Sequence, residues 1–138
     1  HALKEVEDGV PDLYLLGARL LYDGGYYDRA LSVLKAKKTS ELGDEKDRLE
    51  YSYRMARIYD GLQDEAKAIQ YYAQTINTGS GKQWYFAANA SLNLAKIYER
   101  QNNNAKAKQY YQLCLDMKGH EYKSSIDAKA KAGLKRVK

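Results

Sequence analysis

The chain has 138 residues, 44% of them hydrophobic and 30% charged, with a formal net charge of +5, a balance that suits one folded domain and excludes a disordered chain. The most apolar run, Leu13 to Tyr22, is about half the length a bilayer span requires and contains Arg19, so no transmembrane segment is expected. The lone Cys114 excludes an internal disulfide and a zinc site made of several thiolates.

Residues 1–10 read as an N-terminal tail or the remnant of a preceding unit. Opening on His1 without a Met, the chain reads as part of a larger protein, which leaves the compartment open between cytoplasm and bacterial periplasm. Apolar spacing then predicts helices over 11–23 and 27–38, 44–61 and 64–77, and 83–101 and 104–117. Each pair is joined by a short polar turn: Asp23-Gly24-Gly25, Gly61-Leu62-Gln63-Asp64 and Gln101-Asn102-Asn103-Asn104. Gly and Asn accept the left-handed conformation that ends a helix, and Asp or Asn can cap the next one. Residues 118–138 carry 7 Lys/Arg against 2 Asp/Glu, which equals the whole net charge. Here Ile126, Ala130, Leu134 and Val137 form one helical stripe, with Lys123, Lys131 and Lys135 on another face. This reads as a basic capping helix, polar on its outer side, closing the stack.

The three helix pairs are copies of one another. Residues 54–72, RMARIYDGLQDEAKAIQYY, reappear as residues 93–111, NLAKIYERQNNNAKAKQYY, 39 positions later. Ala18, Ala56 and Ala95 are each followed three residues on by Leu21, Tyr59 and Tyr98. Ala30, Ala68 and Ala107 are each followed four residues on by Leu34, Tyr72 and Tyr111. A small and a large residue so spaced share a helix face, letting a neighbouring helix come close while the large one fills the gap beside it.

On Ala18, Leu21, Gly25, Tyr27, Ala30 and Leu34, on Met55, Ala56, Tyr59, Ala68 and Tyr72, and on Leu94, Ala95, Tyr98, Ala107 and Tyr111, residues 12–117 resemble the tetratricopeptide repeat family. The spacing of 38 and then 39 departs from the family's usual 34, and no unit ends in the usual Pro. The extra residues, around Thr39 to Asp47 and Thr78 to Lys82, imply longer first helices or longer loops. The resemblance implies an all-α fold: a right-handed α-solenoid of three stacked hairpins, with the capping helix behind them. It also implies a non-enzymatic scaffold that binds a peptide or a partner domain in its concave groove. That groove would be lined by Leu15, Arg19 and Tyr22; Tyr53, Arg57 and Asp60; and Asn89, Leu92, Lys96 and Glu99. Family members that dock chaperones hold a terminal carboxylate with Lys and Asn in the first unit; Leu15 and Arg19 fill those slots here, which speaks against that activity.

Arg19, Arg57 and Lys96 share one slot, so stacking would build a basic column suited to a carboxylate, an acidic peptide or a phosphate. The competing reading is a self-paired surface, with Arg57 paired to Asp60 and Lys96 to Glu99 along their own helices. Tyr59, Tyr72, Tyr98 and Tyr111 read as core, with hydroxyls reaching a helix end or water. The Trp84-Tyr85-Phe86 cluster is open between contact surface and packing over the loop. Gly79-Ser80-Gly81-Lys82 is a turn: Ile76 stands where a phosphate-binding loop needs Gly, and Gln83 where it needs Ser or Thr. Cys114 reads as a buried, inert thiol. No catalytic, metal-binding or cofactor-binding constellation is found, because the one internal His, His120, stands in a Lys-Gly-His turn away from any nucleophile. The partner expected is therefore a protein or peptide of acidic character and not a small-molecule substrate. The alternative is nucleic acid, or another anionic surface, on the basic C-terminal helix.

Overall fold

The structure, a computed structural model, describes residues 12–138. The tail expected at residues 1–10 lies outside the described residues. Seven α-helices follow in chain order, with no strand among the described residues: α1 Leu13–Asp23, α2 Tyr27–Lys35, α3 Glu45–Gly61, α4 Glu65–Gly79, α5 Phe86–Arg100, α6 Asn104–Asp116 and α7 Lys123–Arg136. Helices α1/α2, α3/α4 and α5/α6 are hairpins, stacked as an all-α solenoid. The second helix of the first unit is shorter than its spacing predicts, ending at Lys35 with a 3-10 turn at Thr39–Glu41 beyond it. The extra residues lengthen the first helix of the second unit, since α3 has 17 residues against 11 in α1.

The hairpin turns repeat to the level of single hydrogen bonds. Gly25, Gln63 and Asn102 occupy the same slot and have φ of 83°, 65° and 60°. The next amide in each turn reaches back five residues, from Tyr26 to the Leu21 carbonyl at 2.8 Å, Asp64 to Tyr59 at 2.9 Å and Asn103 to Tyr98 at 2.8 Å. This is the left-handed helix end that satisfies an otherwise orphaned carbonyl. Asp64 and Asn103 then cap α4 and α6, each accepting from the amide three residues on at 3.2 Å, while Asp12 and Asp44 cap α1 and α3.

Inside a hairpin the small residues do what their spacing demands. Ala18, Ala56, Ala95, Ala30, Ala68 and Ala107 are fully buried at the helix contacts. Ser52 meets Thr75 at 2.9 Å across the second hairpin, and Ser91, in the same slot, donates to the Tyr110 carbonyl at 2.7 Å across the third. Tyr59 stacks on Tyr71 at 5.8 Å, and their counterparts Tyr98 and Tyr110 at 5.7 Å. Lys67 and Lys106 cover the same ring of each pair, both at 5.2 Å.

Helix α5 shows how units join. Its Phe86, Ala90, Leu94 and Ile97 belong to the core of the first two units, whereas Ala88, Leu92 and Ala95 belong to the core shared with α6 and α7. A first helix therefore has one apolar stripe for the preceding unit and another for its own second helix. Loop 80–85 closes this junction. Phe86 is buried against Tyr53 at 5.5 Å, Tyr85 is half-buried between Tyr53 and Tyr122, and the Glu121 amide donates to the Gln83 carbonyl at 2.9 Å. The aromatic cluster is thus packing at an inter-unit seam, and Gly79 to Lys82 is a turn in which Lys82 pairs with Glu45 at 3.0 Å.

Helix α7 packs on α6 and α5 through Ile126, Ala130, Gly133 and Val137, with Leu134 half-buried beside them. Lys123 departs from the exposed basic face expected of it. Its ammonium donates to the Met117 carbonyl at 2.9 Å and pairs with Asp127 at 2.7 Å, closing the C-terminal end of α6. Cys114 is buried in the same core, and burial pushes its thiol up to about 12.

Candidate functional site

The first-helix slots expected to line the groove divide by depth. Leu15, Tyr53 and Leu92 share one slot and are buried, at 2%, 3% and 1% exposure, so they form the floor beneath the face. The Tyr53 hydroxyl accepts from Asn89 of the next unit. Above this floor, Tyr22, Arg57, Asp60, Asn89, Lys96 and Glu99 are half-buried, and Arg19 is exposed.

The structure joins these residues across units. Arg57 lies over the Tyr22 ring of the first unit, 5.3 Å from its centroid, and donates to Asn93 of the third at 2.8 Å. It also donates to the Tyr72 hydroxyl at 3.3 Å and lies 4.0 Å from Asp60, while Tyr72 donates to Asp60 at 2.9 Å. Asn93 is fixed in turn by donating to the Asn89 carbonyl at 2.8 Å. Arg57 is therefore held through one terminal nitrogen, Nη1, which donates to Tyr72 and Asn93 and faces Asp60, with the Tyr22 ring against its plane. Arg19 pairs with Asp23 at 3.9 Å, both well exposed, and does not join this network.

The same motif recurs one unit on, with a different cation. Tyr111 donates to Glu99 at 2.6 Å, as Tyr72 does to Asp60, and in both pairs the carboxylate lies 12 residues before the tyrosine. Here the guanidinium comes from α7: Arg136 donates to Glu99 at 2.8 and 3.2 Å and to the Tyr111 hydroxyl at 3.2 Å. This bidentate pair is the geometry guanidinium and carboxylate favour. It holds the Glu99 carboxyl below the usual glutamate range, chiefly through the Arg136 hydrogen bonds. Burial first, and then the bond to Glu99, push the Tyr111 hydroxyl up to about 12. At the preceding junction Arg100 takes the corresponding place, donating to Asp60 at 3.1 Å and to Glu65 at 3.2 and 3.3 Å, beside a cavity of about 520 Å³ lined by Asp60, Gln63, Glu65 and Arg100.

The pairing of Lys96 with Glu99 expected along α5 is thus replaced, because Arg136 and Tyr111 take the carboxylate. Lys96 has no ion-pair partner among the described residues. It lines an open cavity of about 290 Å³ with Glu99, Arg100 and Arg136. Partial burial, and then the surrounding charges of Lys129, Arg57 and Arg136, hold its ammonium below the usual lysine range. An anion entering that cavity would relieve both effects, since it replaces lost hydration and offsets the like charges.

Sequence reading missed Arg136, Arg100 and the hydroxyls of Tyr72 and Tyr111, which it assigned to helix ends or water. The available signal was the fixed 12-residue offset from carboxylate to tyrosine in both later units. No group of three or more His, Cys, Asp or Glu able to hold a metal occurs among the described residues.

Residues 49–77 and 88–121 each match the family model described as Tetratricopeptide repeat, which covers the second and third hairpins. No curated protein and no solved structure matches the chain.

Proposed function

The chain belongs to the tetratricopeptide repeat family, and from that premise we propose that it is an interaction module whose face of first helices takes an acidic segment of a partner protein, seating a carboxylate at Lys96. Repeats of this family generally mediate contacts between proteins and are typically scaffolds without catalysis. The observation that carries the acidic preference is the charge left over on this face. Arg57, Arg100 and Arg136 are each matched by carboxylates of their own chain, whereas Lys96 has no ion pair among the described residues and feels the charges of Lys129, Arg57 and Arg136 more than that of Asp60. A desolvated, unmatched cation lowers stability on its own, and a ligand carboxylate would offset that cost.

Fluorescence anisotropy with a labelled Asp/Glu-rich peptide and its Asn/Gln counterpart tests the reading. The acidic peptide is expected to bind more tightly, to weaken as salt rises, and to lose at least about fivefold in affinity with Lys96→Gln, roughly 1 kcal/mol. Equal affinity for the two peptides, or an acidic peptide indifferent to Lys96→Gln, would sink it. Lys129, Lys131 and Lys135 are exposed on α7 and support the second reading, an anionic polymer bound there. Duplex DNA that binds the chain and is released by Lys131→Glu/Lys135→Glu, with no effect of Lys96→Gln, would favour that reading instead.

A further inference from the structure

The repeat register makes the exposed side of α1 interpretable. Stepping back 38 residues from α3, and 39 more from α5, places Leu13 with Tyr51 and Ala90, Gly17 with Met55 and Leu94, and Leu20 with Ile58 and Ile97. In α5 this is the stripe that enters the core of the preceding unit: Ala90, Leu94 and Ile97 are fully buried there. In α3, Met55 and Ile58 are 2% and 1% exposed, and Tyr51 packs against the same core. In α1 the same stripe is open: Leu13 is 75% exposed and Leu20 61%, with Leu16 half-buried between them.

The other end of the stack is finished differently. Arg136 pairs with Glu99 as Arg100 pairs with Asp60, which aligns α7 with α5 at an offset of 36 residues. Ile126, Ala130 and Gly133 then match Ala90, Leu94 and Ile97, and all six are buried. Helix α7 is thus the first helix of a fourth unit. Its second stripe, which in α5 is Ala88, Leu92 and Ala95, becomes Ser124, Ala128 and Lys131, all exposed. A lysine in the slot that is alanine in every other unit blocks the close helix contact. One end of the array is therefore sealed by charge, and the other presents leucines.

We infer that the Leu13, Leu16 and Leu20 face of α1 is a stacking interface for the second helix of a further repeat unit, seated as α2 sits on α3 and α4 on α5. Three observations choose this occupant. The face carries leucines, Leu13 and Leu20, at the two end slots of the stripe that two other helices of the molecule bury against such a helix, with Gly17 in the middle slot and Leu16 beside it. The junction at Gly133 shows what arrives in the Leu20 slot, because the ring of Tyr111 from the preceding second helix fills it. A second copy stacked head to tail is disfavoured, because it would set Lys131 against these leucines without a partner.

Joining a copy of residues 44–85 ahead of Gly9 of the chain, which keeps the native repeat spacing, provides the probe. Leu20→Glu is compared in the chain and in the extended chain. In the chain the substitution is on the surface and is expected to shift Tm by no more than about 1–2 °C. In the extended chain it would bury a carboxylate in the new junction and lower Tm by roughly 5–10 °C. Hydrogen exchange of α1 amides should slow in the extended chain and return to its former rate with Leu20→Glu. Equal Tm shifts in the two backgrounds, with α1 exchange unchanged by the extension, would overturn the inference. Sedimentation of the chain alone decides the occupant: a monomer at about 100 μM supports a further repeat unit, and a dimer lost with Leu13→Glu/Leu20→Glu overturns it in favour of a second copy.

Discussion

Gly133 of α7 lies directly beneath the ring of Tyr111 of α6, so close that a Cβ at Gly133 would stand 2.3 Å from the tyrosine Cζ. No other glycine of the described residues is approached so closely, and the contact lies beside the Tyr111–Glu99–Arg136 cluster that ties α7 to the third unit. Gly133→Ala should therefore destabilise the chain by about 1–3 kcal/mol, despite alanine's better helix propensity, which on an open helix would stabilise by about 1 kcal/mol. Chemical denaturation gives the sign. A more stable Gly133→Ala variant would mean that α7 does not dock as described.

The Arg136–Glu99 clamp makes α7 docking sensitive to acid. The Glu99 pKa is lowered in the folded state, so its contribution is fully present above the usual glutamate range near 4.3 and is lost as pH falls through the folded value. Both groups are partly exposed, so Glu99→Gln should cost only about 1 kcal/mol at pH 7, and that cost should shrink as pH falls below the usual glutamate range and vanish once Glu99 is protonated in the folded state. Urea denaturation of both proteins across this range checks it. A pH-independent difference would assign the cost to packing and not to charge.

Gln63 holds φ at 65°, in a slot where the other two units use Gly and Asn. A residue with a Cβ loses roughly 1 kcal/mol to that conformation, so Gln63→Gly should stabilise by up to about 0.5 kcal/mol after the loss to unfolded-chain entropy. Asn102→Gly should gain less, since Asn already tolerates the left-handed region. Thermal melts of the two variants rank the effects, and a loss of stability in Gln63→Gly would contradict the turn geometry.

The Cys114 thiol, pushed up to about 12 by burial, is protonated and enclosed at neutral pH. It should resist a thiol-specific reagent in the native protein and react fully once denatured, at a rate limited by opening of the α6–α7 core. Rapid labelling at pH 7 would show that this core opens readily.

The hairpins, their turns and their close contacts were legible in the chain itself, because each is a local event. A small residue three or four positions from a large one shares its helix face, and a Gly or Asn before a capping side chain ends one helix and starts the next. Ala18, Ala56 and Ala95 are thus buried where their spacing put them, and Cys114 where its slot did.

The tertiary structure decided which charges are matched, since ion pairing depends on which units become neighbours. Lys96 and Glu99 lie three residues apart on one helix, yet Glu99 is taken by Arg136, 37 residues away in sequence. A bidentate guanidinium from α7, reinforced by the Tyr111 hydroxyl, prevails over an exposed pair along one helix, which is worth only a few tenths of a kcal/mol. Periodicity determined the scaffold by itself. Only the stacking of α7 on α6 left Lys96 without an ion-pair partner among the described residues, and only the stacked register gave the open leucines of α1 a meaning, because both follow from contacts between units that sequence spacing does not contain.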